Sequence, residues 1–270
     1  MILEDAARLL AKAGIDNPRG EARLLLAHAL GTGRDAALNA TPSPDQAAAF
    51  AALVARRARR EPIAYIIGRK EFWSLAFDVG PGVLVPRPDT ETLIEEALRV
   101  VPQRDAALRI ADLGTGSGAI LIAALAEFPQ ARGVGFESSP QAFSYAAANA
   151  ARLIGARAPI RLADWNQAEG PFDLVFSNPP YIPSRTIESL DADVAQFEPH
   201  AALDGGPDGL NAYRGLGLVL PRILAPGGYA LLEIGAGQAN AMEPLFPGLE
   251  ILRIAADLAG VPRCLVLRKV

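Results

Sequence analysis

The sequence predicts an α/β protein, in which a small helical bundle precedes a mostly parallel sheet with an antiparallel edge. From about Leu108 onward, continuous apolar strand candidates alternate with helix candidates, as in a parallel sheet that helices cover on both faces. The last two strand candidates are separated only by the turn LAGVP, so we expect them to form an antiparallel edge pair. Residues 1–60 instead are rich in Ala, Leu and Arg at helical spacing.

Three helices are predicted in residues 1–60. In the first, apolar side chains recur at positions i, i+3, i+4 and i+7, which are Ala6, Leu9, Leu10 and Ala13. The second runs from about Pro18 to Leu30 and ends at Gly31. A turn with a capping residue at 42–45 opens the third, which continues through Arg60. A bundle of this size could bury a core only against another part of the protein. As a separate hypothesis, we expect this accessory domain to help to dock a substrate.

Residues 61–88 change character and predict short strands. The segments IAYIIG, EFWSLAFDV and VLVP carry alternating apolar, β-branched and aromatic residues, which favours a β-hairpin linker. The run Pro86–Glu91 then opens a helix through about Val100, with Asp89 as the candidate N-cap. The predicted domains are therefore 1–60, 61–88 and 89–270.

Strands and helices alternate through the predicted domain 89–270. The strand candidates are RIADLG, GVGFE, PIRLADW, FDLVFSNPPY, GYALLEIG, LEILRIAAD and RCLVLRKV. The helix candidates are AILIAALAEF, residues 140–154 and LNAYRGLGLVLPRIL.

Composition and charge exclude several classes of protein. The longest wholly apolar run near the middle, 119–126, is too short to span a bilayer, and Glu4 and Asp5 stand where a signal peptide would carry lysines, so we expect a cytoplasmic protein. Cys264 is the only cysteine, so an internal disulfide and a cysteine-based metal site are excluded. His28 and His200 are the only histidines, so we expect no metal site and interpret both as structural or surface residues.

The charge is unevenly distributed along the chain. Residues 1–70 carry 11 Lys and Arg against 7 Asp and Glu, whereas the remainder carries 15 against 23. The acidic larger part argues against a dedicated binder of duplex DNA. The basic excess is concentrated at Arg56, Arg57, Arg59 and Arg60, which we interpret as a solvated helix face or as a contact to an acidic partner or RNA.

A glycine-rich loop follows the first strand of the predicted sheet. Its residues are Asp112-Leu113-Gly114-Thr115-Gly116-Ser117-Gly118, placed between a strand and a helix as in a nucleotide-binding turn. With Ala119 the spacing also fits the dinucleotide fingerprint, so the loop alone leaves NAD open. The carboxylate of Asp112 shifts the balance toward S-adenosylmethionine, which carries two cationic groups and no phosphate.

Further acidic and aromatic residues end the next two predicted strands. Glu137 ends GVGFE, where a carboxylate can accept the hydroxyls of a nucleoside ribose. Asp164 and Trp165 end RLADW, where an acid can accept from an adenine amino group and a ring can stack or close a pocket. The carboxyl edge of an open α/β sheet is where such proteins bind ligands.

Several motifs together resemble a known family. The glycine loop, the acidic strand ends and S-N-P-P-Y occur in the order typical of class I S-adenosylmethionine-dependent methyltransferases, whose sheet is Rossmann-like. The resemblance narrows to the bacterial peptide chain release factor glutamine methyltransferases through motifs in residues 61–210. These motifs are EPIAYIIG (61–68), EFW (71–73), PRPDTE (86–91), DW (164–165), SNPPYI (177–182), FEP (197–199) and LDGGPDGL (203–210).

The resemblance implies a cofactor, a substrate and a set of site residues. It implies S-adenosylmethionine as cofactor, release factors as partners, and transfer of a methyl group to the side-chain amide nitrogen (N5) of the glutamine in a Gly-Gly-Gln loop. The residues it places against the cofactor are Gly114, Thr115, Gly116, Ser117, Gly118, Glu137 and Trp165, to which we add Asp112, Asp164 and Asn178. The residues it places against the substrate glutamine are Asn178, Pro179, Pro180 and Tyr181.

The chemistry of the amide explains the use of such a motif. An amide nitrogen is a poor nucleophile, so orientation matters more than a strong base. We expect the side-chain oxygen of Asn178 and the carbonyl of Pro179 to accept the two amide hydrogens, and Tyr181 to pack on the amide plane. These three residues are the predicted catalytic group.

Other functions remain open from the sequence. The same chemistry could act on a ribosomal-protein glutamine or on adenine N6 of a nucleic acid. An NAD-dependent oxidoreductase is the alternative of another class, and Asp112 and the NPPY segment count against it. A non-catalytic module of the same fold is disfavoured because both motifs are complete. We expect a monomer that binds no membrane and forms no stable complex with DNA.

Overall fold

The computed structural model describes residues 3–270, and the chain divides into two compact units. The first unit comprises Met1–Arg69 together with Asp191–Phe197, and the second comprises Lys70–Leu190 and Glu198–Val270. The chain therefore leaves the second unit after Leu190 and returns to it at Glu198. The three domains predicted from the sequence stay predictions.

Helices build the first unit. They are α1 (Leu3–Lys12), α2 (Pro18–Leu30), α3 (Arg34–Leu38), α4 (Pro44–Ala58) and α5 (Ile63–Ile67). The Asn17 side chain caps α2, and Ser43 with Gln46 forms a capping box on α4. Gly31 ends α2 in the left-handed conformation, as the sequence predicts. The centre of the core, which excludes water almost completely, is formed by Leu10, Leu25, Phe50 and Val54.

The strand predicted for IAYIIG is wrong, because this segment is the helix α5. Pro62 precedes the helix and Gly68 ends it with φ of +73°. A short apolar run between such residues fits a buried helix turn as well as a strand, and periodicity does not separate the two. The segment VLVP is not a strand either.

The predicted β-hairpin is confirmed, and it begins only after the IAYIIG segment. Strands β1 (Arg69–Phe72) and β2 (Leu75–Asp78) pair around a turn at Trp73 and Ser74, both of which have positive φ. The next helix, α6, spans Glu91–Val100 and follows Thr90 directly. Asp89 does not cap this helix, contrary to the prediction. Its carboxylate instead pairs with Arg263 at 3.2 Å.

A sheet of seven strands forms the centre of the second unit. Its strands are β3 (Arg109–Leu113), β4 (Arg132–Glu137), β5 (Ile160–Leu162), β6 (Phe172–Ser177), β7 (Leu224–Glu233), β8 (Leu249–Ala256) and β9 (Pro262–Lys269). Their order is β5-β4-β3-β6-β7-β9-β8, parallel from β5 to β7 and antiparallel for β9 and β8. The predicted parallel sheet with an antiparallel edge is thus confirmed, and the hairpin folds back so that β9 lies beside β7.

Helices cover the sheet. In addition to α6, they are α7 (Ala119–Glu127), α8 (Pro140–Leu153) and α10 (Asn211–Ile223), while α9 (Ala192–Phe197) belongs to the first unit. Helix α7 is apolar on all sides and almost entirely buried, as expected of a helix packed within the protein. Within residues 3–270 no helix is both long and apolar enough to cross a bilayer.

The sheet has its switch point between β3 and β6. The chain runs outward from β3 to β4 and β5, and then starts again on the other side of β3 with β6 and β7. Asp112 of β3 lies level with Phe176 of β6, so the two strands end together. The Ser177 hydroxyl donates to the carbonyl of Leu113 at 2.7 Å and ties the two ends. Such a switch point is where open α/β sheets bind ligands.

The four clustered arginines do not form an open basic face. Arg57 is 4% exposed and pairs with Glu21 at 2.5 Å and with Asp193 at 2.7 Å. Arg60 also pairs with Asp193, and Arg56 pairs with Glu61. Only Arg59 of the four is exposed. The basic cluster therefore serves mainly to hold the first unit together, including the distant segment Asp191–Phe197.

We predict that Arg57→Ala destabilises the protein by about 3 kcal/mol, because it leaves the carboxylates of Glu21 and Asp193 without their buried partner. Equilibrium unfolding in urea measures the loss. Arg59→Ala, in the same cluster but exposed, serves as the matched control and should change the unfolding free energy by less than about 0.5 kcal/mol. Equal effects of the two variants would contradict the assignment.

Candidate active site

The glycine loop crosses the carboxyl end of β3. The N–H groups of Gly114 and Thr115 both donate to the carbonyl of Phe136 on β4, which fixes the start of the loop. Gly116 has φ of +59°, and no heavy atom lies within 4 Å of the place a Cβ would occupy, so its backbone is open to a close approach. The buried amide of Asn149 donates to the carbonyl of Ser117 and holds the far side of the loop. The sequence did not indicate Asn149.

Glu137 ends β4 as predicted and faces the loop. Its Oε2 accepts the N–H of Gly116 at 2.9 Å, and its Oε1 accepts the N–H of Ser139 at 2.8 Å. The side chain is 8% exposed. Because a carboxylate can accept about four hydrogen bonds, each oxygen keeps capacity for one more donor.

Asp112 lies beneath the loop. It is fully buried, and its Oδ2 accepts the hydroxyl of Thr115 at 2.5 Å. Burial raises the pKa of its carboxyl from 3.8 to about 7, and the charge of Glu137 adds to the rise, whereas the bond from Thr115 opposes it. Asp112 therefore supports the loop through its bond to Thr115.

Trp165 and Asp164 differ in their placement. Strand β5 ends at Leu162, three residues before the end of the predicted strand at Trp165, and Asp164 instead caps a short 3-10 turn by accepting the N–H of Asn166 at 2.8 Å. Asp164 is exposed to solvent. The Trp165 ring lies over Gly114, where a Cβ would meet it at 3.5 Å.

The segment Asn178–Tyr181, here called the corner, follows β6 directly. Asn178 is half-buried, and its Nδ2 donates to the hydroxyl oxygen of Thr90 at 3.3 Å. The ring of Pro179 is buried, whereas Pro180 is half-buried. The hydroxyl of Tyr181 donates to Oε1 of Glu233 at 3.0 Å. The strand therefore stops where the prolines begin, as the sequence predicts.

The loop 203–210 packs against the corner. Ile182 and Asp204 form an isolated parallel bridge, and the carbonyl of Tyr181 accepts from Nε2 of Gln238 at 3.0 Å. Gly209 has φ of +79°, and a Cβ there would meet the Tyr181 carbonyl at 2.4 Å. The absence of a side chain at Gly209 thus lets this backbone approach the corner closely.

One cleft is lined by both the loop and the corner. Eight of the predicted site residues line it, namely Gly114, Thr115, Gly116, Ser117, Glu137, Trp165, Asn178 and Pro180. Five do not, namely Asp112, Gly118, Asp164, Pro179 and Tyr181. Gly118 instead begins α7, where a Cβ would meet Ile122 at 3.0 Å.

Sequence reasoning missed part of the lining. Phe72, Leu84, Pro86, Arg87 and Thr90 line the cleft from the stretch before the sheet, and Pro199, Ala201 and Ala202 line it from FEP and the residues that follow. The PRPDTE motif could have indicated Pro86, Arg87 and Thr90, and the FEP motif could have indicated Pro199.

The PRPDTE and FEP motifs are tied to each other. Arg87 pairs with the buried carboxylate of Glu198 at 2.6 Å. Glu198 also accepts the N–H of Val85 at 3.3 Å. The two stretches that border the cleft are therefore held together by one buried side chain.

Among residues 3–270, no group of three or more His, Cys, Asp and Glu side chains is placed to hold a metal ion.

We predict that Asp112→Asn stabilises the protein more at pH 8 than at pH 5. Because the folded-state pKa lies near 7 and the unfolded value near 3.8, the folded chain keeps a proton that the unfolded chain loses, so this carboxyl lowers stability as pH rises from about 4 to 7. Asn does not titrate, and it can still accept from Thr115. Thermal unfolding at both pH values measures the difference.

Asp105→Asn, at an exposed carboxylate, is the control and should show the same melting difference at pH 5 and pH 8. An Asp112→Asn advantage that does not grow with pH would show that the buried carboxyl is not protonated preferentially in the folded state.

Comparisons with known proteins agree along the chain. Residues 2–68 match the family described as PrmC N-terminal domain, and residues 104–245 match a methyltransferase domain family. A protein of Rhodospirillum rubrum named release factor glutamine methyltransferase is 45% identical over 99% of this chain and 84% of its own length. A protein of Caulobacter vibrioides with the same name is 45% identical over 93% of this chain and 89% of its own length.

A solved structure shows the same fold. The crystal structure of a methyltransferase from Pyrococcus furiosus, at 21% identity, matches with a TM-score of 0.53 over 80% of this chain and 98% of that one. The fold predicted from the sequence, a class I methyltransferase sheet after a helical region, is confirmed. From its motifs, its cleft and the identity along its whole length, the chain belongs to the release factor glutamine methyltransferase family.

Proposed function

We propose that this chain transfers a methyl group from S-adenosylmethionine to the side-chain amide nitrogen (N5) of the glutamine in the Gly-Gly-Gln loop of peptide chain release factors. One observation carries the proposal: the glycine loop and the Asn178 corner open into the same cleft, at the switch point between β3 and β6. This arrangement supports a cofactor site next to a site for a planar amide.

The cofactor would lie against the loop side of the cleft. The remaining acceptor positions of Glu137 suit the two ribose hydroxyls, and the Trp165 ring over Gly114 offers a flat apolar wall. Asp112 acts from beneath, through its bond to Thr115, rather than by direct contact. A cationic ligand favours the ionised form of this carboxyl, whereas a pyrophosphate opposes it.

The substrate amide would lie against the corner. Because Nδ2 of Asn178 is directed to Thr90, its side-chain oxygen is left to accept an amide hydrogen of the glutamine. The Pro179 carbonyl would accept the second hydrogen, and Pro180, which lines the cleft, would limit the plane in which the amide lies. Tyr181, which does not line the cleft, would hold the corner through its bond to Glu233. Two fixed acceptors direct the nitrogen lone pair away from the corner, toward the cofactor side of the cleft.

Methyl transfer then requires mainly alignment. Bound S-adenosylmethionine supplies an electrophilic methyl group on a sulfonium. The glutamine nitrogen would gain the methyl group while sulfur kept the electrons of the broken S–C bond, and the proton released from the nitrogen would pass to water. The positive charge that grows on the nitrogen is stabilised by the Asn178 and carbonyl dipoles.

The test of this function is direct. The chain is incubated with S-adenosylmethionine and a release factor, and the digested product is mapped by mass spectrometry. We expect one added methyl group on the Gly-Gly-Gln glutamine. Methylation of a ribosomal protein or of adenine in RNA, with none on the release factor, would refute the release factor as substrate. It would still support methyl transfer to a planar nitrogen.

We predict that Asn178→Ala lowers kcat at least about 100-fold, since it removes an acceptor that stabilises the developing charge. Binding of S-adenosylmethionine, measured by calorimetry, should stay within about twofold. Asn166→Ala, at an exposed asparagine, is the control and should retain normal turnover. Undiminished turnover by Asn178→Ala would remove this residue from the mechanism.

We predict that Glu137→Ala raises the Kd for S-adenosylmethionine about 10- to 100-fold, because it removes a charged acceptor from the ribose and from the Gly116 N–H. Calorimetry measures the change, with the exposed Glu169→Ala as control. An unaltered Kd would exclude Glu137 from the cofactor site.

We further propose that the first unit helps to dock the release factor and that the enzyme acts as a cytoplasmic monomer without stable DNA binding. Of the arginine cluster, Arg59 is the residue exposed for such docking. Arg59→Glu should raise KM for an intact release factor and not for a short Gly-Gly-Gln peptide. A change of KM for both substrates, or for neither, would contradict docking through this residue.

A further inference from the structure

Glu233 is a buried carboxylate at the end of β7 that the proposed mechanism does not use. It is 2% exposed and accepts a hydrogen bond on each oxygen. Thr90 donates its hydroxyl to Oε2 at 2.5 Å, and Tyr181 donates its hydroxyl to Oε1 at 3.0 Å. Both donors belong to the cleft or to the corner, so this single group is connected to two parts of the site.

The position of Glu233 is fixed from several sides. Its backbone carbonyl accepts the hydroxyl of the fully buried Tyr213 at 3.0 Å, and the neighbouring Leu232 lies level with Ser177, next to the corner. Burial raises the pKa of the Glu233 carboxyl, and the hydrogen bonds from Thr90 and Tyr181 and the charge of Arg263 oppose this rise. The carboxylate is therefore held rigidly rather than placed by chance at a mobile surface.

The hydrogen bonds run from Asn178 through Thr90 to Glu233. Thr90 has a single hydroxyl proton, and it donates this proton to Oε2 of Glu233 at 2.5 Å. The Thr90 oxygen can then only accept from Asn178, which requires that Nδ2 of Asn178 faces Thr90. The side-chain oxygen of Asn178 is consequently directed away from Thr90.

This direction matters because an amide side chain has two nearly isosteric orientations. If Asn178 were reversed, its NH2 group would meet the NH2 group of the substrate glutamine, and two donors cannot bond to each other. We propose that Glu233 is a positioning residue that, through the hydroxyl of Thr90, sets which end of the Asn178 amide meets the substrate. This role rests on the proposed function, since it requires that the cleft methylates glutamine.

The test removes the hydroxyl of Thr90, which is the middle group of the hydrogen-bonded relay from Asn178 through Thr90 to Glu233. Thr90→Val replaces the hydroxyl with a methyl group of similar size, so Asn178 loses the acceptor that fixes its orientation. We expect kcat on a Gly-Gly-Gln substrate to fall about tenfold or more while the Kd for S-adenosylmethionine stays within about threefold. Thr90→Ser keeps the hydroxyl and should recover most of the loss. Thr92→Val, at the next buried threonine along the chain, is the matched control.

A double-mutant cycle separates a relay from a general loss of packing. Thr90→Val and Glu233→Gln act on the same amide, so the double variant should lose no more kcat than the worse single variant. Additive losses, or a Thr90→Val enzyme within about twofold of the wild type, would overturn the role. If Thr90→Val does not fold, Thr90→Ala is compared with Thr90→Ser instead.

A second measurement is independent of turnover. The side-chain NH2 signals of Asn178, assigned by their loss in Asn178→Ala, should shift in Thr90→Val and stay near their wild-type positions in Thr92→Val. Unmoved signals in Thr90→Val would overturn the relay. If Thr90→Val shows the predicted shifts but the wild-type chain methylates no glutamine, the proposed function is refuted while the hydrogen-bonded relay stands. The two failures are therefore distinguishable.

Discussion

The site depends on two neighbouring parallel strands that end at the same level. Asp112 of β3 is level with Phe176 of β6, and the Ser177 hydroxyl bonds to the Leu113 carbonyl across the pair. The loop that follows β3 and the corner that follows β6 therefore start side by side. A slip in this register would separate the two halves of the cleft, even if each motif kept its own conformation.

Buried carboxylates hold the surrounding segments in place. Glu137 fixes the loop through backbone N–H groups, Glu198 fastens the stretch before the sheet through Arg87, and Glu233 links Thr90 with Tyr181. Each is less than a tenth exposed and makes hydrogen bonds or an ion pair that offset its desolvation. The segments around the cleft are thus held by carboxyl groups that the fold has removed from solvent, and burial also raises the pKa of Asp112.

The sequence predicts the motifs of the site but not the contacts between them. The glycine loop, Glu137 and the corner are predictable because glycine spacing, strand ends and paired prolines are local signals. The contact of Thr90 with Glu233 is not, because the two residues lie 143 positions apart and meet only through the sheet order. The prediction of a strand at IAYIIG fails because a five-residue apolar run has no resolvable period, and that of Asp164 at a strand end fails because β5 is shorter than its apolar pattern.

The most direct test is a crystal structure of the chain with S-adenosylhomocysteine and a Gly-Gly-Gln peptide. We expect the glutamine amide nitrogen at about 3 Å from both the Asn178 side-chain oxygen and the Pro179 carbonyl, on the side of the cleft that faces the cofactor sulfur. A glutamine bound elsewhere in the cleft, or an amide that contacts neither acceptor, would contradict the proposed mechanism.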